Sequence, residues 1–419
     1  MTHAFDTHGL DYCPIMPTYG PPPVVFVRGD GSQLWDDRGK RYLDFLCGLA
    51  VTSLGHANPV VAEAIARQAG TLLHVSNLFA NDQAWPLAVA IDELVAAPGG
   101  TGQVFFCNSG AEANECAIKL ARKWGGPSAP GRHGVPAAAG RRGVLGRHVV
   151  LSAYGSFHGR TLATLHATGQ PAKHEAFQPL PEGFRHVAWN DLDALEAAIA
   201  PDVAAVLLEP VQGEGGVNPA AVEYFQGVRR LCDERGLLFM VDEVQTGFAR
   251  TGEWFGFQHF GVMPDVVSMA KALGNGFPIG ACWARTEVAA AFKPGDHATT
   301  YGGTPLAAAA ARAVLAEMRR MDAPAVVTRV AAQLTARLLD LDGVASVRGL
   351  GLLLAVELAD GRNAKDVADA CLAAGLVVNA VTGTALRLAP PFTVSDDEID
   401  EAMTILGSVL AAVPTSVIG

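Results

Sequence analysis

The sequence predicts an α/β fold: a large domain on a mostly parallel central sheet, and a smaller α+β domain built from both ends of the chain. Three observations carry this. First, short apolar runs alternate with Ala-rich helical stretches, at 104–107, 149–151, 205–208, 237–241 and 266–269. Second, these runs are apolar throughout rather than alternating, the pattern of strands buried on both faces. Third, the pattern changes after Thr304, to one long Ala-rich helix and then short strands and helices.

Taken in order, the first sixty residues carry short strands around 24–26 and 33–35, joined by the Asp36-Asp37-Arg38-Gly39 turn. They are expected to pack with the C-terminal part. The middle of the chain, with strands separated by helices, implies right-handed crossovers and a parallel sheet. The stretch 125–147 holds seven Gly, three Pro and four Arg and has no apolar period, so it reads as a long surface loop. Beyond Thr304 we expect a helix over 305–320, strands over 344–347 and 352–358, and a helix over 363–374. Strands over 376–378 and 386–388 follow, then a closing helix over 395–413. Ser395-Asp396-Asp397-Glu398 supplies that helix with an N-cap and an acidic first turn. The expected division is 1–60 as a segment packing with the small domain, 61–303 as the large domain and 304–419 as the small domain.

Composition narrows the function. The 419 residues correspond to two or three domains at roughly 150 residues each. With 31 basic and 42 acidic residues, the net charge of −11 speaks against a dedicated nucleic-acid binder, and 50% apolar residues against a disordered chain. The seven cysteines are scattered, with no CxxC pair and no metal-ligand spacing. That fits a reducing compartment, no disulfide framework and no metal site. The first twenty residues show neither a basic n-region nor an apolar h-region, so no secretory signal is expected. The least polar long window, 370–386, contains two Gly, two Thr and an Asn and reads as a buried αβ segment rather than a membrane span. A cytoplasmic enzyme is the expectation.

The apolar runs end in polar residues: Asn108-Ser109, Ser152, Glu209, Asp242-Glu243 and Lys271. Open parallel sheets bind ligands beyond the carboxyl ends of their strands, so these five clusters are expected to meet at one site. In Asn108-Ser109-Gly110-Ala111-Glu112-Ala113-Asn114 a strand ends and a helix begins. Free N–H groups and the helix dipole make such a turn an anion site, and Gly110 lets the backbone approach a phosphate. Glu115 and Lys119 at i,i+4, with Arg122 and Lys123 in the last turn, support the helix. Asp242 leaves a buried strand and needs a cationic partner: a metal, an arginine or a protonated ring nitrogen. Lys271 follows an apolar strand and precedes glycines, and a desolvated lysine has a lowered pKa and can form a Schiff base. A phosphate cradle, an Asp and a Lys at successive strand ends fit pyridoxal 5′-phosphate (PLP).

These motifs resemble those of the class III, fold type I aminotransferases. The resemblance runs from about Pro17 to the final helix. It includes Met16-Pro17-Thr18-Tyr19, Leu73 to Leu78, the NSGAEAN block, Phe157-His158-Gly159-Arg160-Thr161, Glu209 to Gly216, the VDEVQTG and AKALGNGFPIG blocks and Leu386 to Pro391. The resemblance implies that Lys271 holds the cofactor and moves the reacting proton, and that Asp242 pairs with the pyridine nitrogen. It likewise implies that Gln245 lies near the phenolic oxygen, Phe157 stacks on the ring, and Ser109, Gly110 and Ala111 seat the phosphate. Thr300 would reach the phosphate from a partner subunit, so the implied assembly is a homodimer with shared active sites.

The resemblance also assigns the substrate residues: Tyr19, Arg160, Glu214 and Arg387. Arg160 would hold the α-carboxylate of an ω-amine donor or the side-chain carboxylate of glutamate. Arg387 would hold the α-carboxylate of glutamate and 2-oxoglutarate. Glu214 would gate Arg387 by pairing with it while the donor is bound. Guanidinium forks suit bidentate carboxylates. Three features depart from the family pattern: Thr304 stands where Asn is usual, Asn275 where Gly is usual, and the 125–147 loop is long. A tyrosine that recognises a free α-amine in ornithine-specific members, near Gly48-Leu49, is absent. That favours an N-acylated diamino acid such as N2-acetylornithine, with succinylornithine, succinyl-diaminopimelate, ornithine and 4-aminobutyrate remaining as alternatives.

Overall fold

A computed structural model describes residues 15–96, 101–126 and 146–414. Strands β1 (Phe26–Asp30), β2 (Gln33–Asp36) and β3 (Arg41–Asp44) form an antiparallel meander. The first strand begins at Phe26 rather than near Val24, and the Asp36-Asp37-Arg38-Gly39 turn joins β2 to β3 instead of β1 to β2. The Asp36 carboxylate places that turn, accepting hydrogen bonds from the backbone N–H of Arg38 (2.9 Å) and Lys40 (2.8 Å). With only four residues, β3 does not stand out from the apolar pattern.

The central sheet is built from β4 (Gly102–Cys107), β5 (Val149–Ala153), β6 (Phe184–Val187) and β7 (Val203–Leu208). A two-stranded hairpin of β8 (Val211–Gln212) and β9 (Asn218–Pro219) follows. The sheet then resumes with β10 (Leu238–Asp242), β11 (Val266–Met269) and β12 (Gly280–Arg285), in the order β4-β12-β11-β10-β7-β5-β6. Only β12 runs against its neighbours, and the other pairings are parallel. Two strands escape the sequence pattern. In β6, Arg185 and His186 interrupt the apolar run, and the small residues opening β12 carry little strand signal. Strands β5, β7, β10 and β11 are buried throughout, as expected. The edge strand β4 is buried only at Cys107 and corrects the expectation of burial on both faces.

The Gly110–Trp124 helix packs on β11 and β12, and the Val222–Arg235 helix on β10. The Pro305–Arg320 helix lies against Pro59–Ala69 and Ala84–Val95. An antiparallel sheet, β13-β14-β17-β16, comprises β13 (Val344–Leu350), β14 (Leu353–Leu358), β16 (Asn379–Ala380) and β17 (Ala385–Leu388). Strand β15 (Leu376–Val377) leaves it to pair in parallel with β3, Leu376 opposite Leu43, so the two ends of the chain share one sheet. The closing helix, Asp396–Ala412, starts with a capping box: Glu398 N–H donates to Ser395 Oγ (3.2 Å), and Ser395 N–H to Glu398 Oε2 (2.9 Å).

The predicted Gly- and Arg-rich loop lies, from 127 to 145, outside the described residues. Among the described residues no helix is long and apolar enough to cross a membrane. The parallel strands β4, β7, β10 and β11 end on the same side of the sheet, which is where the chemistry gathers.

Candidate active site

A cavity of about 410 Å³ opens beyond those strand ends, and its lining includes Ser109, Asp242, Gln245, Lys271, Arg160 and Glu214. Gly110, Ala111, Phe157 and Glu209 also face it. Four of the five strand-end clusters therefore converge. Ser152 does not, because its hydroxyl is buried and donates to the carbonyl of Ala167 at 2.6 Å. Within the fourth cluster Glu243 turns away from Asp242, as the alternation of a strand requires. Its carboxylate accepts from the N–H groups of Gly256 (2.9 Å) and Phe257 (2.7 Å), and burial pushes its pKa up to about 7.

The anion seat is built by its cap. Glu112 N–H donates to Ser109 Oγ at 3.2 Å, and the Glu112 carboxylate takes the N–H of Asn108 at 2.7 Å. First-turn N–H groups have no intrahelical acceptor, so those of Gly110 and Ala111 are left to the cavity. A Cβ on Gly110 would lie 2.7 Å from both Val244 methyl groups, so only glycine fits this approach. The i,i+4 pair expected further along the helix does not form. Glu115 instead accepts from the Thr161 hydroxyl (2.5 Å), and Lys119 donates to the carbonyl of Asp296 (2.8 Å).

Asp242, 4% exposed, ends β10. Its Oδ2 lies 2.7 Å from Asn114 Nδ2 and 2.8 Å from His158 Nδ1, and its Oδ1 accepts from Val244 N–H at 3.0 Å. These partners are an amide, an imidazole and a peptide, so a protonated ring nitrogen remains a fitting ligand for the carboxylate. Lys271 follows β11 in a left-handed conformation, φ +43°. Removal from water lowers its amine to about 8, although the carboxylates of Glu214 and Asp242 pull the other way. Burial, then the charge of Asp242, pushes the Glu209 carboxyl well above its usual range, while Phe157 N–H donates to it at 3.1 Å.

Beside Glu214, Arg387 of β17 is 1% exposed. Its Nη1 donates to Glu214 Oε1 at 2.5 Å and to the carbonyl of Gly213 at 3.3 Å, and its Nε donates to Asn379 Oδ1 at 3.2 Å. Glu214 rides on the loop between β8 and β9. Burial raises its pKa, but the Arg387 charge and hydrogen bond outweigh this, and the net shift is downward. Gln245 braces the pair, its Nε2 3.4 Å from Glu214 Oε1 and its Oε1 3.4 Å from Arg387 Nη1. Arg160 stands exposed at the mouth, its guanidinium 5.5 Å from the centre of the Phe157 ring.

Three expected site residues do not line this cavity within one chain, Arg387 joining it through its bond to Glu214, and Tyr19 and Thr300 not at all. Tyr19 is 90% exposed, and Thr300 is exposed on the segment after His297. Conversely, Asn114, His158 and Ser268 all sit at Asp242 without having been singled out. An Asn among Ala113, Cys116 and Ala117 on the buried helix face was the available signal. The family departures are absorbed structurally. Asn275 Oδ1 accepts from Leu54 N–H (2.8 Å) and its Nδ2 donates to the Gly55 carbonyl (3.0 Å). Thr304 caps the Pro305–Arg320 helix, accepting from Ala307 N–H at 3.4 Å.

An amide anion seat, a buried carboxylate and a desolvated lysine around one cavity fit PLP; Ser109, Gly110 and Ala111 would hold its phosphate, Asp242 would face its ring nitrogen and Lys271 its aldehyde. The fold and site are those of a PLP-dependent transferase. Residues 15–410 match the model of the family "Aminotransferase class-III", and the chain belongs to that family. It is 47% identical over 421 residues to the acetylornithine aminotransferase of Gloeobacter violaceus, covering 99% of this chain and 98% of that one. Among solved structures, the ornithine aminotransferase from Toxoplasma gondii ME49 superposes with a TM-score of 0.86 at 32% identity, covering 95% of this chain and 92% of that one. The N-acetylornithine aminotransferase from Stenotrophomonas maltophilia K279a gives 0.78 at 37% identity, covering 94% and 97%.

Proposed function

We propose that this chain passes the δ-amino group of N2-acetyl-L-ornithine to 2-oxoglutarate, giving N-acetyl-glutamate 5-semialdehyde and L-glutamate, a step of arginine biosynthesis. The observation that carries the reading is the closed Arg387–Glu214 pair beside a separate guanidinium at Arg160. While the pair is closed, Arg160 is the cation available to the donor's α-carboxylate, and the donor's far end, its amine, reaches the cofactor. When Glu214 lets go, Arg387 takes the α-carboxylate of glutamate or 2-oxoglutarate, and Arg160 takes the side-chain carboxylate. One pocket thus serves a terminal amine and an α-amine in turn.

PLP, when bound, supplies a ring that withdraws the electron pair left on the substrate carbon. Lys271, with its pKa near 8, is suited to take the proton from that carbon and return it at the next position. Asp242 would keep the ring nitrogen protonated. Ser109, Gly110 and Ala111 would hold the phosphate, Phe157 would lie against the ring, and Gln245 would be the residue near its phenolic oxygen.

The acyl preference rests on the 47–51 turn, whose contribution to the cavity is the apolar Val51. Relatives named acetylornithine aminotransferase support it. Initial rates of the holoenzyme with acetylornithine, succinylornithine, succinyl-diaminopimelate, ornithine and 4-aminobutyrate test it. We expect the highest kcat/KM with acetylornithine, and a higher value with ornithine or 4-aminobutyrate would overturn the assignment. The active assembly in this reading is a cytoplasmic homodimer in which Thr300 reaches the partner's phosphate and Tyr19 adds a substrate contact.

A further inference from the structure

We propose that Ser268 and Asn114 act as a positioning pair that decides which oxygen of Asp242 meets the cofactor ring nitrogen. This rests on the reading of Asp242 as the partner of that nitrogen. Ser268 lies on β11 directly beside Asp242 on β10 in the parallel register. Its hydroxyl donates to Asn114 Oδ1 at 2.6 Å. A hydroxyl can donate or accept, but a carboxylate and a carbonyl only accept, so Nδ2 of Asn114 faces those two groups and its Oδ1 faces the Ser268 hydroxyl. The two hydrogens of Nδ2 are then spent on Asp242 Oδ2 (2.7 Å) and on the carbonyl of His158 (2.8 Å). Ser268 and Asn114 are each 1% exposed, so water does not compete for these bonds.

The consequence falls on the carboxylate. Oδ2 is engaged by Asn114 and by His158 Nδ1, whereas Oδ1 has one protein donor, the Val244 N–H at 3.0 Å. Oδ1 therefore keeps the lone pair that the ring nitrogen's hydrogen needs. Without the Ser268 hydroxyl, Asn114 Oδ1 is a buried acceptor that has lost its donor, and the amide is drawn from its place against Oδ2. As its hold on Oδ2 slackens, the carboxylate can turn and its bond to the ring weakens. The pair acts through Asp242 and touches no reacting atom.

The test compares the holoenzyme with Ser268→Ala, Ser268→Thr and Asp242→Ala. It reads the rate of PLP loss on dilution, the pH midpoint of the visible band of the bound cofactor and the melting temperature. A positively charged ring disfavours a second proton on the cofactor, so weakening the Asp242 contact moves that midpoint up. We expect Ser268→Ala to lose PLP about tenfold faster, the effect of one lost buried hydrogen bond, with a raised midpoint. Ser268→Thr, which keeps the hydroxyl, should match wild type, and Asp242→Ala should exceed Ser268→Ala in both respects. A Ser268→Ala enzyme with wild-type retention and midpoint, or with only a lowered melting temperature, overturns the positioning role while Asp242→Ala still shows its effect. If Asp242→Ala also behaves as wild type, the reading of Asp242 itself fails.

Discussion

The floor of the cavity and its gate reach the same space by different constructions. Asp242 ends β10, inside the parallel sheet between β7 and β11, and its three hydrogen-bond partners come from the helix packed on the sheet, the segment after β5 and the turn that follows β10 itself. Arg387 comes from the antiparallel sheet near the other end of the chain and meets Glu214 on a two-stranded hairpin. Asp242 is closed to solvent, and removing one of its donors would leave a buried carboxylate under-bonded, which costs roughly 1–3 kcal/mol. In the gate the Arg387 side chain is 1% exposed but Glu214 is 30% exposed, so water can solvate the carboxylate as the pair opens. A fixed reaction centre and a breakable recognition pair are what a two-substrate exchange in one pocket requires.

The largest effect should come from the floor. Lys271→Ala is expected to reduce turnover by ten-thousand-fold or more, on the order seen when a covalent catalyst is removed, with an unchanged circular dichroism spectrum. Substantial activity in that variant would refute the assignment. The gate should respond more selectively. Arg387→Lys keeps the charge but loses the fork, so KM for 2-oxoglutarate should rise about 10- to 100-fold, with the single-turnover rate for the amine donor much less affected. Equal losses in both half-reactions would erase the distinction between floor and gate.

A pH series sharpens the comparison further. The Lys271 amine is lowered to about 8, so its neutral, reactive fraction grows as pH rises through 8 rather than through the ordinary lysine range. The rate of PLP uptake by the stripped protein should show an inflection there, and a rate that climbs only above pH 10 would contradict the desolvated lysine. The smallest effect concerns the rim. Asn275→Gly removes two hydrogen bonds to Leu54 and Gly55, but it relieves a residue held at φ +46°. The two terms oppose each other, so the net change in stability should stay within about 1 kcal/mol by thermal unfolding. A larger loss would make the Asn275 clamp a principal anchor of the 52–56 loop.

Much of the floor was legible because it obeys a local rule. Lys271 and Asp242 each close an apolar run, and the ends of parallel strands share one side of a sheet. Ser152 obeys the same local pattern yet bonds to Ala167, since a polar strand end does not say which way it faces. The supports of Asp242 were hidden for a different reason: Asn114 and Ser268 meet across 154 positions of chain, and their pairing exists only once the sheet has formed. The Arg387–Glu214 gate spans 173 positions and was reachable only through resemblance to a family. The antiparallel β12, opened by Gly280-Ala281-Cys282, had no periodicity to betray it. Tyr19 and Thr300 are exposed in one chain, and the role proposed for Thr300 depends on an assembled dimer.

The central claim is that one amine, that of Lys271, holds the cofactor covalently opposite Asp242. Reducing the holoenzyme with borohydride, digesting it and mapping the modified peptide by mass spectrometry tests this directly. The account predicts a single pyridoxyl adduct on Lys271. An adduct on Lys173 or another lysine, or a protein that retains no cofactor after reduction, would contradict it.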